Sequence, residues 1–392
     1  MYKASDYFHR GQLFLRNQTF PKHKQLANLM IYATDLCDSG CKHCLIWAKR
    51  PVKYLPKEKI FEVVSNNKSI TPKTIIGLEG GEFLLHPDAL EIMQWMKKNH
   101  PRFDLLSNCL KPEKLIEAVK LYTPNRLFIS LDGDRDTYLH MRGKDGYDSV
   151  IRVIRELKDI LPVSVMFTLS PYNDFGDMEH VAAVCKENDV DMRVGIYNNI
   201  SFFDTIEQAH TTEIGVKKND EILSFKTLNP FKNLPQTITE APIPTGIQSG
   251  HDFAERIPKI ISEFSENYDF LILYNKWRQN ELKLKCFSIL DSIIILPNGD
   301  VPICQNLDLK LGNIHDQTLD EVLTGEETIK QQNLHSENCN KCWINYHRKY
   351  DVALYRSFEN LFGRWATKKM FGYYQWSDNK DSYKKLINDQ PS

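Results

Sequence analysis

The sequence predicts an α/β fold: a partial (βα)6 TIM-like barrel, followed by a smaller β-hairpin and helix region that carries cysteines. Three observations predict it. Between residues 28 and 197, six short apolar runs rich in Ile, Val and Phe recur. Five stretches with apolar residues three and four apart separate them, the mark of helices. After residue 197 this alternation stops, and four of the nine cysteines lie beyond residue 285.

The predicted strands are Leu29–Ala33, Thr74–Leu78, Phe103–Leu106, Arg126–Leu131, Val163–Leu169 and Met192–Tyr197. The predicted helices are Pro56–Ser65, Pro87–Lys97, Pro112–Leu121, Tyr147–Lys158 and Asp177–Glu187. Strands alternating with helices read as βα units with parallel strands. Their continuous apolar character fits a sheet covered on both faces. In such folds the loops after the strand C-termini hold the site. Residues 198–250 hold Pro230, Pro235, Pro242 and Pro244 and read as an irregular connection. Helical stretches are expected at 251–265 and 267–281. In "FSILDSIIILPNGDVPIC", two β-rich runs flank Asn298-Gly299, a hairpin-turn signal. A short helix at Leu319–Leu323 leads to Cys339 and Cys342.

The chain has 392 residues, 42% hydrophobic and 26% charged, enough for one large domain and a smaller one. Fifty Lys and Arg against 51 Asp and Glu leave no basic footprint for nucleic acid. No apolar run approaches the roughly 18 residues of a membrane span. The N-terminal "MYKASDYFHRGQLF" lacks the apolar core of a signal peptide, so a cytoplasmic protein is expected. In that compartment cysteines serve as ligands or buried thiols rather than disulfides.

Cys37, Cys41 and Cys44 stand at C-x3-C-x2-C spacing directly after the first predicted strand. A structural zinc needs a fourth ligand, for which His43 is available. An iron–sulfur cluster on three thiolates keeps one iron open. Two further stretches bear on the choice: "GLEGGEFLLHPD" after the second strand and "SLDGDRDTYLHMRG" after the fourth.

With these three motifs in order, the chain resembles the radical S-adenosylmethionine (radical SAM) enzymes over about residues 28–200. The resemblance implies a [4Fe-4S] cluster on the three cysteines, its open iron chelated by S-adenosylmethionine. It implies that Gly80, Gly81 and Glu82 meet the methionine amino group, the glycines admitting close backbone approach. The family commonly continues with proline, where Phe83 stands here. His43 then lies near the adenine. Ser107, Asn108, Ser130 and Asp132, at strand ends, are candidates for the ribose hydroxyls. Arg142 is the candidate for the cofactor's carboxylate.

Cys286, Cys304, Cys339 and Cys342 form a second group that zinc or a second cluster would suit. The stretch resembles the SPASM/twitch extensions of the same family, including Gly-Asn-Ile and the acidic helix after it. That implies an auxiliary [4Fe-4S] cluster, and with no cysteine after Cys342 only one can be completed, as in the twitch type. Cys185 reads as a buried thiol in a helix, and Cys109, at the rim, as packing. The expected segments are 1–27 as an extension, 28–200 as the barrel core and 201–285 as a connection with helices. Residues 286–347 follow as the twitch-like cluster region and 348–392 as an amphipathic tail. In that tail Leu354, Phe358, Leu361, Phe362 and Trp365 recur at helical spacing with Arg356, Arg364, Lys368 and Lys369. Packing across the barrel or cluster region is the expectation, with a substrate cap or a membrane-surface helix as alternatives.

By resemblance, the enzyme reductively cleaves S-adenosylmethionine to a 5′-deoxyadenosyl radical that abstracts hydrogen from a substrate carbon. A flavodoxin- or ferredoxin-type protein is the implied electron donor. The fully cysteine-ligated auxiliary cluster suits a net oxidation. About 27 residues precede the first strand, too few for a leader-binding domain, so the expected substrate is a small molecule or glycan such as a sugar or cyclitol. Modification of a peptide or protein side chain, epimerisation included, is the alternative. A non-catalytic iron–sulfur electron-transfer protein is a remote one. Tyr197 and Asn198, ending the sixth strand, are candidate substrate contacts.

Overall fold

The computed structural model describes residues 4–44, 46–170, 172–196, 284–305, 307–339 and 342–371, with single positions between 260 and 282. Within them a seven-stranded parallel sheet is built from β1 (Asn28–Thr34), β2 (Ile75–Gly80), β3 (Phe103–Ser107), β4 (Arg126–Ser130), β5 (Val163–Leu169), β6 (Asp191–Ile196) and β7 (Ser292–Ile295). Their order is β6-β5-β4-β3-β2-β1-β7, which leaves β6 and β7 as the edges of a partial barrel. Helices follow the strands as expected: α2 (Lys57–Asn66), α3 (Ala89–Asn99), α4 (Pro112–Leu121), α6 (Tyr147–Leu157) and α7 (Phe175–Asn188). Leu29, Ile31, Leu78, Leu105, Ile129, Val165 and Val194 are fully buried. Parallel strands covered by crossover helices produce this burial.

Two helices are additional to the sequence reading. The first, α1 (Ala4–Thr19), precedes the barrel, and α5 (Arg135–Arg142) follows β4. Asp134 caps α5 by accepting the Thr137 backbone N–H at 2.9 Å, a cap of the expected chemistry.

The expected hairpin is corrected. The turn at Asn298-Gly299 forms, with the Gly299 N–H donating to the Leu296 carbonyl at 2.8 Å. Its two arms do not share one ladder. β7 runs parallel to β1, from Asn28 opposite Ser292 to Ile31 opposite Ile295. β8 (Asp300–Cys304) pairs antiparallel with β9 (Leu307–Asn313) instead. The reason is burial: all four residues of Ser292–Ile295 are buried, so this run satisfies its backbone inside the barrel sheet. Next come α8 (Leu319–Thr324), α9 (Glu326–Asn338) and α10 (Asn345–Phe371).

The tail helix α10 is broken at Gly363, whose φ of 79° only glycine adopts freely. Before the break, Val352 and Tyr355 are buried; beyond it, Phe371 returns to the core. Between these anchors Leu361 and Trp365 are 75% exposed and Phe362 62% exposed, so the expected packing of the whole apolar stripe holds for its first part only. Tyr373, Tyr374 and Trp376 lie outside the described residues, as do most of the connection at 198–281 and its expected helices. No described helix is long and apolar enough to cross a membrane.

α1 ties the start of the chain to β7. Arg10 donates to the Asp291 carboxylate at 3.1 Å and to Ser292 Oγ at 2.7 Å, and lies 3.6 Å from the Tyr350 ring centroid. Phe14 packs edge-on to Phe287 at 4.8 Å and against Phe371 at 5.6 Å. Replacing Phe14 with Ala removes this buried aromatic and should cost about 3 kcal/mol. Urea unfolding is expected to show a lower midpoint at unchanged slope.

Candidate functional site

The loop after β1 carries Cys37, Cys41 and Cys44, and two neighbouring segments hold it. The end of β2 lies against its base: the Gly81 N–H donates to the Thr34 carbonyl at 2.7 Å and the Glu82 N–H to the Leu36 carbonyl at 2.8 Å. A Cβ on Gly81 would stand 2.2 Å from the Leu36 carbonyl oxygen, and one on Gly80 (φ 136°) 2.4 Å from that of Thr34. The glycines are therefore required by backbone contact with the cysteine loop, a reason different from the open approach to a cofactor expected above. From the other side, the end of α5 grips the loop. The Gly40 N–H donates to the Arg142 carbonyl at 2.9 Å, and the Lys42 N–H to that of Met141 at 2.8 Å.

The expected cofactor residues converge here, with specific partners. Ser107 Oγ and the Asn108 N–H donate to the Glu82 carboxylate at 2.9 and 2.8 Å. Burial nonetheless pushes Glu82 up to about 7. The Asn108 side-chain amide reaches Asp38 at 2.8 Å and Cys37 Sγ at 3.8 Å. Arg142, expected opposite the cofactor's carboxylate, instead binds the buried Asp132 through two nitrogens and reaches Cys41 Sγ at 3.7 Å. Asp132, expected at the ribose, accepts the Thr168 N–H on its second oxygen at 2.9 Å. Both are therefore occupied within the protein. Ser130 ends β4, half-buried. Burial pushes His43 down to about 4, so its imidazole is neutral at pH 7. Tyr197 and Asn198 lie outside the described residues.

These thiols suit iron. Burial pushes Cys37 well up and Cys44 to about 11, so their ionisation calls for a cation to bind. Among the described residues, no three His, Cys, Asp or Glu side chains converge tightly enough for a single metal ion. Cys109 is buried in the core and Cys185 is buried in α7, as packing thiols.

Inside the barrel a cavity of about 330 Å³ is lined by Met30, Gly77, Glu79, Asp104, Phe128 and Met166, with Asn345 and Tyr346 of α10 also bordering it. Glu79 was not singled out from the sequence. The signal was its period-2 spacing from Gly77 within β2, which places both on the inward face. Burial, then the nearby Asp104, pushes its carboxyl up to about 8.

The second cysteine group is also gathered. Cys286, Cys304, Cys339 and Cys342 line one small cavity, together with His335, His347 and Arg348. Arg348 is fully buried and frames it. Its guanidinium donates to the carbonyls of Cys342 at 3.1 Å, Cys339 at 3.2 Å, and Leu284 and Lys285 each at 3.2 Å. It also pairs with Asp351 at 3.3 Å. The four cysteines thus border one space, from the loop before β7, from β8 and from the segment between α9 and α10.

Comparison with known families agrees with this arrangement. Residues 31–185 match the radical SAM superfamily, and residues 286–343 match SPASM, an iron–sulfur cluster-binding domain. The chain is a radical SAM enzyme. Its cofactors are accordingly a [4Fe-4S] cluster with S-adenosylmethionine, and auxiliary iron–sulfur in the SPASM region. Among solved structures it is similar to Streptococcus suis SuiB bound to S-adenosylmethionine, at 16% identity and TM-score 0.55, over 84% of this chain and 74% of that one. SuiB bound to precursor peptide SuiA is 12% identical with TM-score 0.53, over 84% and 72%. These likenesses carry the fold. No curated protein matches the sequence.

Two outcomes follow from this geometry. Gly81→Ala must push β2 off the Leu36 carbonyl. Anaerobically reconstituted protein should then lose about half its iron while the second centre keeps its share. In the second, Glu79 takes its proton near pH 8 when folded and near 4.5 when unfolded, so the folded state binds more protons between those values. Stability contributed by this group therefore falls as pH rises through that window. Glu79→Gln should give a Tm that declines less than wild type between about pH 5 and pH 8.

Proposed function

We propose that the enzyme modifies a side chain of a peptide or protein by a net oxidation. In this reading Cys37, Cys41 and Cys44 hold the first cluster. S-adenosylmethionine lies against the Gly80–Glu82 backbone and His43, and the substrate side chain enters the barrel cavity. Cys286, Cys304, Cys339 and Cys342 hold a single auxiliary cluster. When bound, the cluster and cofactor together supply hydrogen abstraction from an unactivated carbon. The chain's residues position and exclude water. Gly80 and Gly81 set the loop against β1, Asp132 and Arg142 fix the cysteine loop from behind, and Met30, Phe128 and Met166 give the cavity apolar walls.

The observation that carries the reading is the extent of the likeness to the peptide-bound SuiB fold. It runs through 84% of this chain and 72% of that one. A sugar or cyclitol is the second reading, favoured by the carboxylates of Glu79 and Asp104 in the cavity wall, which suit hydroxyl groups. A flavodoxin- or ferredoxin-type protein as the electron source belongs to either.

The test is co-expression with small peptides encoded beside the gene, read by mass. A peptide lighter by two hydrogens supports the reading. Unchanged peptides, alongside oxidation of a sugar substrate by the same preparation, overturn it in favour of the second. Replacing Cys339 and Cys342 with Ala should abolish product while 5′-deoxyadenosine continues to form, because the second electron then has no acceptor.

A further inference from the structure

His347 is the buried polar group that the fold leaves unanswered. It is 1% exposed, and neither ring nitrogen has a hydrogen-bond partner among the described residues. The ring is not loosely placed. The His347 N–H donates to the Ile344 carbonyl at 3.2 Å, and Ser288 Oγ donates to the His347 carbonyl at 2.6 Å. Tyr346 meets the ring edge-on at 5.1 Å. An unpaired buried polar group costs about 1–3 kcal/mol, so a ring so held calls for a partner. It borders the cavity of the four cysteines.

Its neighbour answers differently. Arg348 spends its donors on the carbonyls around the cavity and on Asp351, holding the frame. His347 borders the same space with neither ring nitrogen satisfied.

We propose that His347 donates an imidazole N–H to a sulfur of the auxiliary cluster and thereby raises its reduction potential. The proposal rests on the four-cysteine assignment made above. Reduction adds negative charge to the cluster, and a hydrogen bond to sulfur stabilises the more negative form, moving the potential up. A neutral imidazole has one N–H donor to offer. His347 is a positioning and tuning residue, and the cysteines remain the ligands.

The test uses the full chain with Cys37, Cys41 and Cys44 replaced by Ala, so that the auxiliary centre is observed alone. Prepared with nitrogen-15 histidine, reconstituted anaerobically and reduced, it should show a weak nitrogen coupling in pulsed EPR. A proton coupling should also disappear in deuterated buffer. His347→Phe should remove both and shift the midpoint potential down at unchanged iron content. His335 borders the same cavity, so His335→Gln must leave both couplings in place, and this control stands if the His347 variant does not fold; loss of the couplings in His335→Gln overturns the proposal. A loaded cluster without either coupling overturns the proposal, as does a strong coupling diagnostic of a nitrogen ligand on iron. Absence of any cluster in the triple variant overturns the four-cysteine assignment and the proposal with it.

Discussion

The approach of β2 to the base of the cysteine loop is the contact on which the first site depends. Two backbones come together there, at Gly80–Gly81 and at Thr34–Leu36, with no room for a Cβ between them. Ordinary side-chain packing adapts by rotamer changes, whereas backbone against backbone does not. The position of three sulfurs is thereby fixed by the main chain of two adjacent strands, and the parallel sheet supplies the rigidity. Asp132 and Arg142 complete this from the far side. Their buried ion pair, with the desolvation cost such pairs carry, braces Arg142, whose carbonyl accepts from the Gly40 N–H and whose guanidinium reaches Cys41 Sγ in the cysteine loop.

Much of the barrel was legible because its strands are buried on both faces and its helices amphipathic. Val163–Leu169 and Pro112–Leu121 fall where the apolar pattern puts them. The destination of Ser292–Ile295 was not legible, because period and turn chemistry describe a strand without naming its partner. A tight turn at Asn298-Gly299 suits a hairpin and equally suits a strand that leaves one sheet as the next begins. At the candidate site, residue types and their neighbourhood were legible while pairings were not. Arg142 meets Asp132, ten residues away at the other end of α5, and no linear pattern distinguishes that partner from a cofactor's carboxylate.

The second centre rests on a different device. Cys286, Cys304 and the Cys339–Cys342 pair come from three pieces of chain, and one guanidinium holds two of these together through the carbonyls of Leu284, Lys285, Cys339 and Cys342. Arg348 in turn is balanced by Asp351, which accepts from the Phe287 and Ser288 N–H groups at 3.0 and 3.2 Å. The first centre is therefore organised by strand contact and the second by a buried cation. α10 contributes to both the barrel cavity, through Asn345 and Tyr346, and the cysteine cavity, through His347 and Arg348.

The pairing of β7 with β1 has a consequence for how the molecule is made. Asn28 lies opposite Ser292, so the edge of β1 stays without its partner until nearly three quarters of the chain has been synthesised. Closing so long a loop is slow, and an apolar strand edge left open meanwhile is a template for wrong partners. Until β7 is made, β1 is, in addition to β6, a second open edge of the sheet. Arg10, reaching Asp291, is engaged only when that edge closes, so the N-terminal helix docks late although it is translated first.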